Sequence, residues 1–240
     1  MSPFQCPDSV APTWRYADSI SPATSLYSSD ERSKTAIRGS YCVGGPGFTE
    51  GMAKYKESGE REHPREIVLG SCAKHGEDAV IDFAIAVLTG DVTAKEAFTT
   101  ELDRLKWLTG PTAGGWAKLD PVNFYWARVW AARTFLYVWR DDAVDALMTA
   151  AGDPAWRVRE HVARVTAQRE LGQLADALVP DLGHELPRVR ATAARALGAA
   201  GEAEHAEALQ AVADDPDLTV RVAAEKALAR LEKRLDRIFD

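Results

Sequence analysis

The chain of 240 residues has only three cysteines, and they stand far apart in the sequence, at Cys6, Cys42 and Cys72. So small and scattered a set excludes a disulfide framework and is typical of a reducing compartment. No hydrophobic run approaches the roughly 18 residues that a membrane helix needs, and the first ten residues lack the charged and apolar regions of a secretory signal. We therefore expect a cytoplasmic protein with no membrane partner.

An excess of basic charge is also absent. The 29 lysines and arginines stand against 36 aspartates and glutamates, which gives a formal net charge of −7. This balance excludes a protein coated with basic residues for nucleic acid, although it leaves room for a local basic face. Hydrophobic residues make up 46% and charged residues 27% of the chain, a composition that excludes disorder over the whole length.

Composition divides the chain at about residue 63. Residues 1–45 hold nine serines, four prolines and three glycines without a helical period, so residues 1–63 are expected to be a loop-rich arm packed on the rest. Residues 64–240 show the helical period instead, with helices predicted over 64–74, 77–88 and 121–139. Thr93 and Glu96 have the spacing of a capping box at the start of a further helix. Because no stretch before the repeats alternates convincingly with period two, no sheet is expected.

The decisive feature of residues 121–235 is a repeat of 31 residues. The pairs Val158-Arg159, Val189-Arg190 and Val220-Arg221 recur at that interval, with Ala127-Arg128 one interval earlier. Five positions after each arginine stands another base, namely Arg133, Arg164, Arg195 and Lys226. Each unit is predicted to be a helix pair that cannot bury its apolar faces alone, so neighbouring units must stack into an α-solenoid.

The turn motif D-P-x-x-x-V-R-x-x-A resembles HEAT-like repeats of the short type first noted in phycobilin lyases. Asp153-Pro154 and Asp215-Pro216 match it, whereas His184 and Val122 replace the aspartate in the other copies. The fold expected is an all-α, right-handed α-solenoid of stacked helix pairs.

The resemblance also assigns roles. It implies a ladder between acids and arginines of adjacent turns, which makes Arg159, Arg190 and Arg221 structural. It places the Val-Arg helices on the concave side, and it implies outer helices near residues 141–151, 172–182 and 203–213, with a kink at Pro180.

The concave face is expected to be basic, with tryptophans at one end. At 100° per residue, the positions two before, two after and five after each ladder arginine point away from the core. The candidate binding residues are Trp126, Trp130, Arg133, Arg157, His161, Arg164, Arg188 and Arg195. The arginines would neutralise an anion, the tryptophans would stack, and His161 would be a pH-sensitive donor. The other interpretation is a solvated face whose arginines pair with acids such as Glu160.

These residues favour a non-catalytic scaffold that recognises an acidic partner, either a protein segment or nucleic acid. The alternative is a DNA-processing enzyme that resembles HEAT-like alkylpurine DNA glycosylases, and a third option is a scaffold with an apolar outer face. No catalytic residue, cofactor or metal is assigned. Whether Cys6, Cys42, Cys72 and His75 bind a metal stays open, because only Cys72 and His75 have a ligand-like spacing.

Overall fold

The computed structural model of the protein describes residues 62–111 and 121–239. Every regular secondary-structure element in these residues is helical. The predicted all-α class is confirmed. The α-helices are α1 (Pro64–His75), α2 (Glu77–Thr89), α3 (Ala94–Phe98), α4 (Leu102–Thr109), α5 (Trp126–Thr134), α6 (Ala143–Ala151), α7 (Trp156–Arg169), α8 (Ala175–Leu178), α9 (Pro187–Ala200), α10 (Ala206–Ala211) and α11 (Leu218–Leu235). The predicted arm lies outside the described residues, except for its last two positions. In the two described stretches no helix combines the length and the hydropathy needed to cross a membrane.

Helices α1 to α3 begin where the sequence predicts. The His63 Nδ1 atom accepts a hydrogen bond from the Arg65 amide, and Pro64 occupies the first turn of α1, where its missing N–H costs nothing. Helix α2 is apolar nearly all round and buries Val80 and Phe83. Thr93 and Glu96 form the predicted capping box at the start of α3. The first two helices match their predicted ranges within one residue.

Helices α5, α7, α9 and α11 pack against one another in chain order and form one layer. Helices α6, α8 and α10 lie beside them, each packed against the next helix of that layer, and α2 packs on α5 and α6 at the start of the row. Val158, Val189 and Val220 are fully or almost fully buried between the helices. The described repeats are therefore stacked helix pairs, and the handedness of the stack stays a prediction.

The ladder that the resemblance implies joins the turns of successive repeats. Arg159 donates from Nε to Asp181 Oδ1 at 2.9 Å, and Arg190 donates from Nε to Asp215 Oδ2 at 2.7 Å. Arg128 reaches Asp153 in the same way. The guanidinium of Arg190 also holds the pKa of Asp215 below its ordinary value. These arginines each bind the next turn.

Three of the ladder arginines also donate a hydrogen bond to a backbone carbonyl of their own turn. Arg159 Nη1 donates to the Asp153 carbonyl at 2.7 Å, Arg190 Nη1 to the His184 carbonyl at 2.8 Å, and Arg221 Nη1 to the Asp215 carbonyl at 2.8 Å. Each arginine thus replaces water at a turn whose backbone has few helical partners.

In the copy where His184 replaces the motif aspartate, two residues make the contacts that a single aspartate makes in the other copies. Asp153 and Asp215 each accept an amide two residues on and an arginine from the preceding repeat. His184 accepts the Leu186 amide at 3.0 Å, whereas Asp181, three residues earlier, accepts Arg159. The departure from the motif therefore leaves the ladder complete.

The predicted helix over residues 121–139 is wrong in length. A 3-10 turn spans Pro121–Asn123, and α5 ends at Thr134. Side chains of the next repeat bind the carbonyls at this end: Gln168 donates to the Leu136 carbonyl at 2.7 Å and Arg169 to that of Phe135. Because these carbonyls have partners outside the helix, the helix can stop. At Pro180 the α-helix gives way to the 3-10 turn Val179–Gly183, as the predicted kink requires.

Candidate functional site

Two of the predicted arginines, Arg164 on α7 and Arg195 on α9, are exposed and line one open cleft. The cleft has a volume of about 440 Å³, and Gln168, Thr192 and Glu160 also contribute to its wall. We call it the Arg164–Arg195 cleft. Its basic residues occupy equivalent positions of successive repeats, so the repeat itself places them on one face.

The described residues provide no acid for the cleft arginines. Across residues 62–111 and 121–239, neither Arg164 nor Arg195 forms an ion pair or a side-chain hydrogen bond. Glu160, the acid expected to neutralise them on a solvated face, pairs with Arg188 instead, with Nη2 and Oε1 2.6 Å apart. The cleft therefore keeps uncompensated positive charge.

Arg133 continues this column of arginines but is half-buried. Its Nη2 atom donates to the Leu108 carbonyl at 3.1 Å, while its Nε atom is buried with no hydrogen-bond partner among the described residues. Burial, and then the neighbouring charge of Arg164, lower the pKa of Arg133. A buried polar atom without a partner costs free energy, so this end of the column is strained electrostatically.

A second group of side chains stacks rings on guanidinium groups at the start of the Val-Arg helices. The Cζ atom of Arg157 lies 4.3 Å from the ring centroid of Trp156 and 5.2 Å from that of Trp126. The Cζ atom of Arg188 lies 5.3 Å from the Trp156 ring. These four residues, Trp126, Arg157, Trp156 and Arg188, form what we call the arginine clamp.

Trp156 is a site residue that the sequence reasoning missed. It lies three residues before a ladder arginine, a position that the helical projection did not assign to the exposed face. Its neighbour Arg157 was on the candidate list, and a tryptophan beside an arginine at the first residue of a helix was the available signal. The half-buried ring takes part in two of the three cation–π contacts of the clamp, with Arg157 of α7 and with Arg188 of α9.

Trp130 is placed differently from the expectation that it lines a groove. Only 7% of it is exposed, and its ring packs against Phe98 of α3 with the centroids 5.8 Å apart and against Trp126 at 6.0 Å. Trp126 is half-buried and keeps part of its surface accessible. Thus Trp126 remains a candidate for ligand contact, and Trp130 is a core residue that supports it.

His161 carries a proton on Nδ1, because that atom donates to the Arg157 carbonyl at 2.9 Å. Burial lowers the pKa of His161, and the Arg164 and Arg133 charges lower it further, whereas the Arg157 carbonyl and Glu160 raise it. At neutral pH the ring is therefore neutral. Its Nε2 atom is then a hydrogen-bond acceptor at neutral pH and becomes a donor only when the ring is protonated.

The lowered pKa of His161 predicts a pH-dependent stability. The unfolded chain takes up a proton on this residue near pH 6.5, before the folded protein does. The free energy of unfolding should therefore fall as the pH drops below about 6.5, by at most about 1.4 kcal/mol for each pH unit. Urea unfolding of the wild type and of His161→Asn between neutral pH and pH 5 measures the difference, and parallel curves for the two proteins would contradict it.

Two of the four candidate metal ligands, Cys72 and His75, lie in the described residues. Cys72 is half-buried as a free thiol, and its pKa is raised by burial and by the nearby charge of Glu77. In the part of the chain that the structure describes, no group of three or more histidine, cysteine, aspartate or glutamate residues could hold a metal ion. Cys6 and Cys42 lie outside that part.

One comparison with known proteins gives a result. Residues 144–229, from within α6 to near the end of α11, match the family model of HEAT repeats. This match confirms the resemblance of the turn motifs. No curated protein and no solved structure matches the chain.

Proposed function

Since the chain carries HEAT repeats, which commonly serve as protein-interaction scaffolds, we propose that it is a non-catalytic binding protein for an acidic partner. The partner is a protein segment or nucleic acid, and it binds to the face that carries the Arg164–Arg195 cleft. A stack of repeats offers an extended surface that suits a linear partner better than a small molecule.

The observation that carries this proposal is the pair of unpartnered, exposed arginines. Three other arginines of the described residues have an acid: Arg140 contacts three aspartates, Arg230 binds Glu170, and Arg234 binds Glu202. Arg65 and Arg237 are also exposed without an acid, but unlike Arg164 and Arg195 they do not line the cleft. Acidic residues outnumber basic ones in the chain, whose net charge is −7. The lack of a described acid beside Arg164 and Arg195 is therefore not the result of a shortage of acids. An external anion gives these two guanidinium groups the ionic partners that the described residues do not.

The proposal is tested by fluorescence anisotropy with two labelled probes, a polyglutamate peptide and a DNA duplex, over a salt series. The variant Arg164→Glu/Arg195→Glu reverses the charge of the cleft. The control Arg65→Glu/Lys95→Glu changes the net charge equally at exposed positions of α1 and α3. Both variants leave the ladder and the core untouched, so they are expected to unfold like the wild type.

We expect at least one probe to bind, with an affinity that falls as salt is added. The cleft variant should bind it at least tenfold more weakly, since charge-assisted hydrogen bonds contribute about 1.5 kcal/mol or more each. The control should bind like the wild type. Equal affinity of the cleft variant and the control would show that only net charge matters and would refute the site.

The DNA-processing alternative depends on Glu160, the only carboxylate that the structure shows in the wall of the described cleft. Its side chain is 7% exposed and its Oε1 atom accepts two hydrogen bonds from Arg188. A catalytic role would require base release from alkylated DNA that is lost in Glu160→Gln while DNA binding persists. Absence of base release by the wild type leaves binding as the function.

A further inference from the structure

We propose that the acidic partner is a protein segment in which a carboxylate stands beside apolar side chains, and that Arg157 in the arginine clamp binds that carboxylate. The inference rests on the proposed function and names the partner's chemistry. It depends on the clamp, on the apolar residues at the same helix ends, and on the charge pattern of the cleft.

Arg157 is oriented before any ligand arrives. Its guanidinium lies over the rings of both Trp156 and Trp126, with Cζ at 4.3 and 5.2 Å from their centroids. Stacking on aromatic faces fixes the plane of the group, so less side-chain entropy is lost on binding. In the described residues its guanidinium forms no ion pair and no hydrogen bond. Its forked N–H donors match the two oxygens of a carboxylate.

Arg104 shows what the same clamp looks like when an acid is present. Its Cζ atom lies 4.5 Å from the ring centroid of Phe83 and 5.5 Å from that of Trp107. There, however, Nη1 pairs with Glu101 at 3.3 Å, one turn earlier on the chain. Both arginines stack on two aromatic rings, but only Arg104 has an acid among the described residues. At Arg157 a carboxylate of the partner would take the place that Glu101 takes at Arg104.

Apolar side chains accompany the clamp along the starts of the Val-Arg helices. Trp156, Pro187 and Leu218 are the first residues of α7, α9 and α11, and Leu218 is 64% exposed. Leu186, which precedes α9, is 36% exposed. The contact between Arg188 and the Trp156 ring brings the starts of α7 and α9 together. Apolar surface beside the unpartnered cation Arg157 is complementary to a segment with both leucine-like and acidic side chains.

The charge pattern disfavours a long polyphosphate at this site. A DNA duplex carries one negative charge for about every 1.7 Å of its axis, whereas this face holds a carboxylate of its own, Glu160, which contacts Arg188 of the clamp and also lines the cleft. An evenly charged strand would place phosphates near that carboxylate. A protein segment with isolated carboxylates can meet Arg157, Arg164 and Arg195 and place neutral residues opposite Glu160.

The test compares three labelled probes on the full chain: a peptide of alternating aspartate and leucine, the same peptide with serine for leucine, and a DNA duplex. We expect the leucine peptide to bind most tightly. Arg157→Lys keeps the charge and loses the planar fork, so it should weaken this binding about tenfold. The matched control Arg104→Lys should leave the affinity unchanged, because Arg104 is paired internally.

A second pair of variants tests the clamp as a positioning device. Trp156→Phe keeps a ring under Arg157 and should retain most of the affinity, whereas Trp156→Leu should lose several-fold. The leucine peptide should also quench tryptophan fluorescence, and Arg157→Lys should reduce that change. Thermal melts of all variants confirm that they are folded.

The outcomes separate this inference from the proposed function. Wild-type affinity in Arg157→Lys, equal affinity for the serine peptide, or tightest binding of the DNA duplex would each overturn the carboxylate-and-apolar segment. In those cases a loss of binding in the Arg164→Glu/Arg195→Glu variant would still support the cleft. Failure of the wild type to bind any probe at low salt would overturn both.

Discussion

Replacing Asp181 by alanine should lower the free energy of unfolding by about 3–5 kcal/mol, because it leaves a largely buried guanidinium without its carboxylate. Asp181 is 6% exposed and accepts Arg159 Nε at 2.9 Å. After the substitution Arg159 keeps, among the described residues, only its bond to the Asp153 carbonyl. Urea unfolding followed by circular dichroism measures the loss.

Two controls define what the Asp181 result means. Asp145 is exposed on α6 and its carboxylate has no partner among the described residues, so Asp145→Ala should change stability by less than about 0.5 kcal/mol. The double variant Arg159→Met/Asp181→Leu removes both charges and should recover much of the stability. If Asp181→Ala were as mild as Asp145→Ala, the ion pair would contribute little and the ladder would not hold the turns together.

Substituting Gly198 by alanine is expected to destabilise the protein by about 1–3 kcal/mol, the range typical of an overpacked core, with a value toward the upper end of that range. A Cβ atom at this position would lie 2.5 Å from the Cα atom and 2.8 Å from the carbonyl oxygen of Ala227. These are backbone atoms of α11, so relief requires α9 and α11 to separate. The free energy of unfolding and the melting temperature both report the change.

Gly70 gives the matched control on α1, with the same substitution and the opposite expected sign. A Cβ atom there meets nothing within 4 Å, and the position is exposed within the helix. Gly70→Ala should therefore gain up to about 1 kcal/mol from helix propensity. A similar gain from Gly198→Ala would mean that α9 and α11 do not approach as closely as the structure shows.

The repeat explains why so much of the fold could be predicted from the sequence. A residue that returns every 31 positions, such as Arg159 and Arg190, must perform the same task in each copy, and the ladder confirms this for both. Asp181 escaped prediction because it does not follow the period. Arg159 pairs with a carboxylate that lies close in space, whatever its place in the repeat. That carboxylate is Asp181, which lies in the 3-10 turn Val179–Gly183, three residues before His184.

The candidate site was less predictable because its residues meet elements outside the repeat. Trp130 has the spacing of a surface residue, yet Phe98 of α3 covers it. Helix α3 lies before the first repeat, and nothing in the period places it there. Arg133 is half-buried for a related reason, since the end of α4 reaches it through the Leu108 carbonyl. Helical projection predicts direction, whereas burial depends on neighbours that it does not include.

In the ladder each repeat unit donates hydrogen bonds from its arginine to the next turn and accepts hydrogen bonds from the arginine of the preceding unit. Arg190 binds a carbonyl of its own turn and a carboxylate of the following one, and the turn at Asp215 offers the same two acceptors to Arg190 and Arg221. A duplicated copy of residues 185–215 would therefore meet matching groups at both joints. The length of the array is a quantity that gene duplication can change without redesign, and each added unit would extend the basic face by one further step.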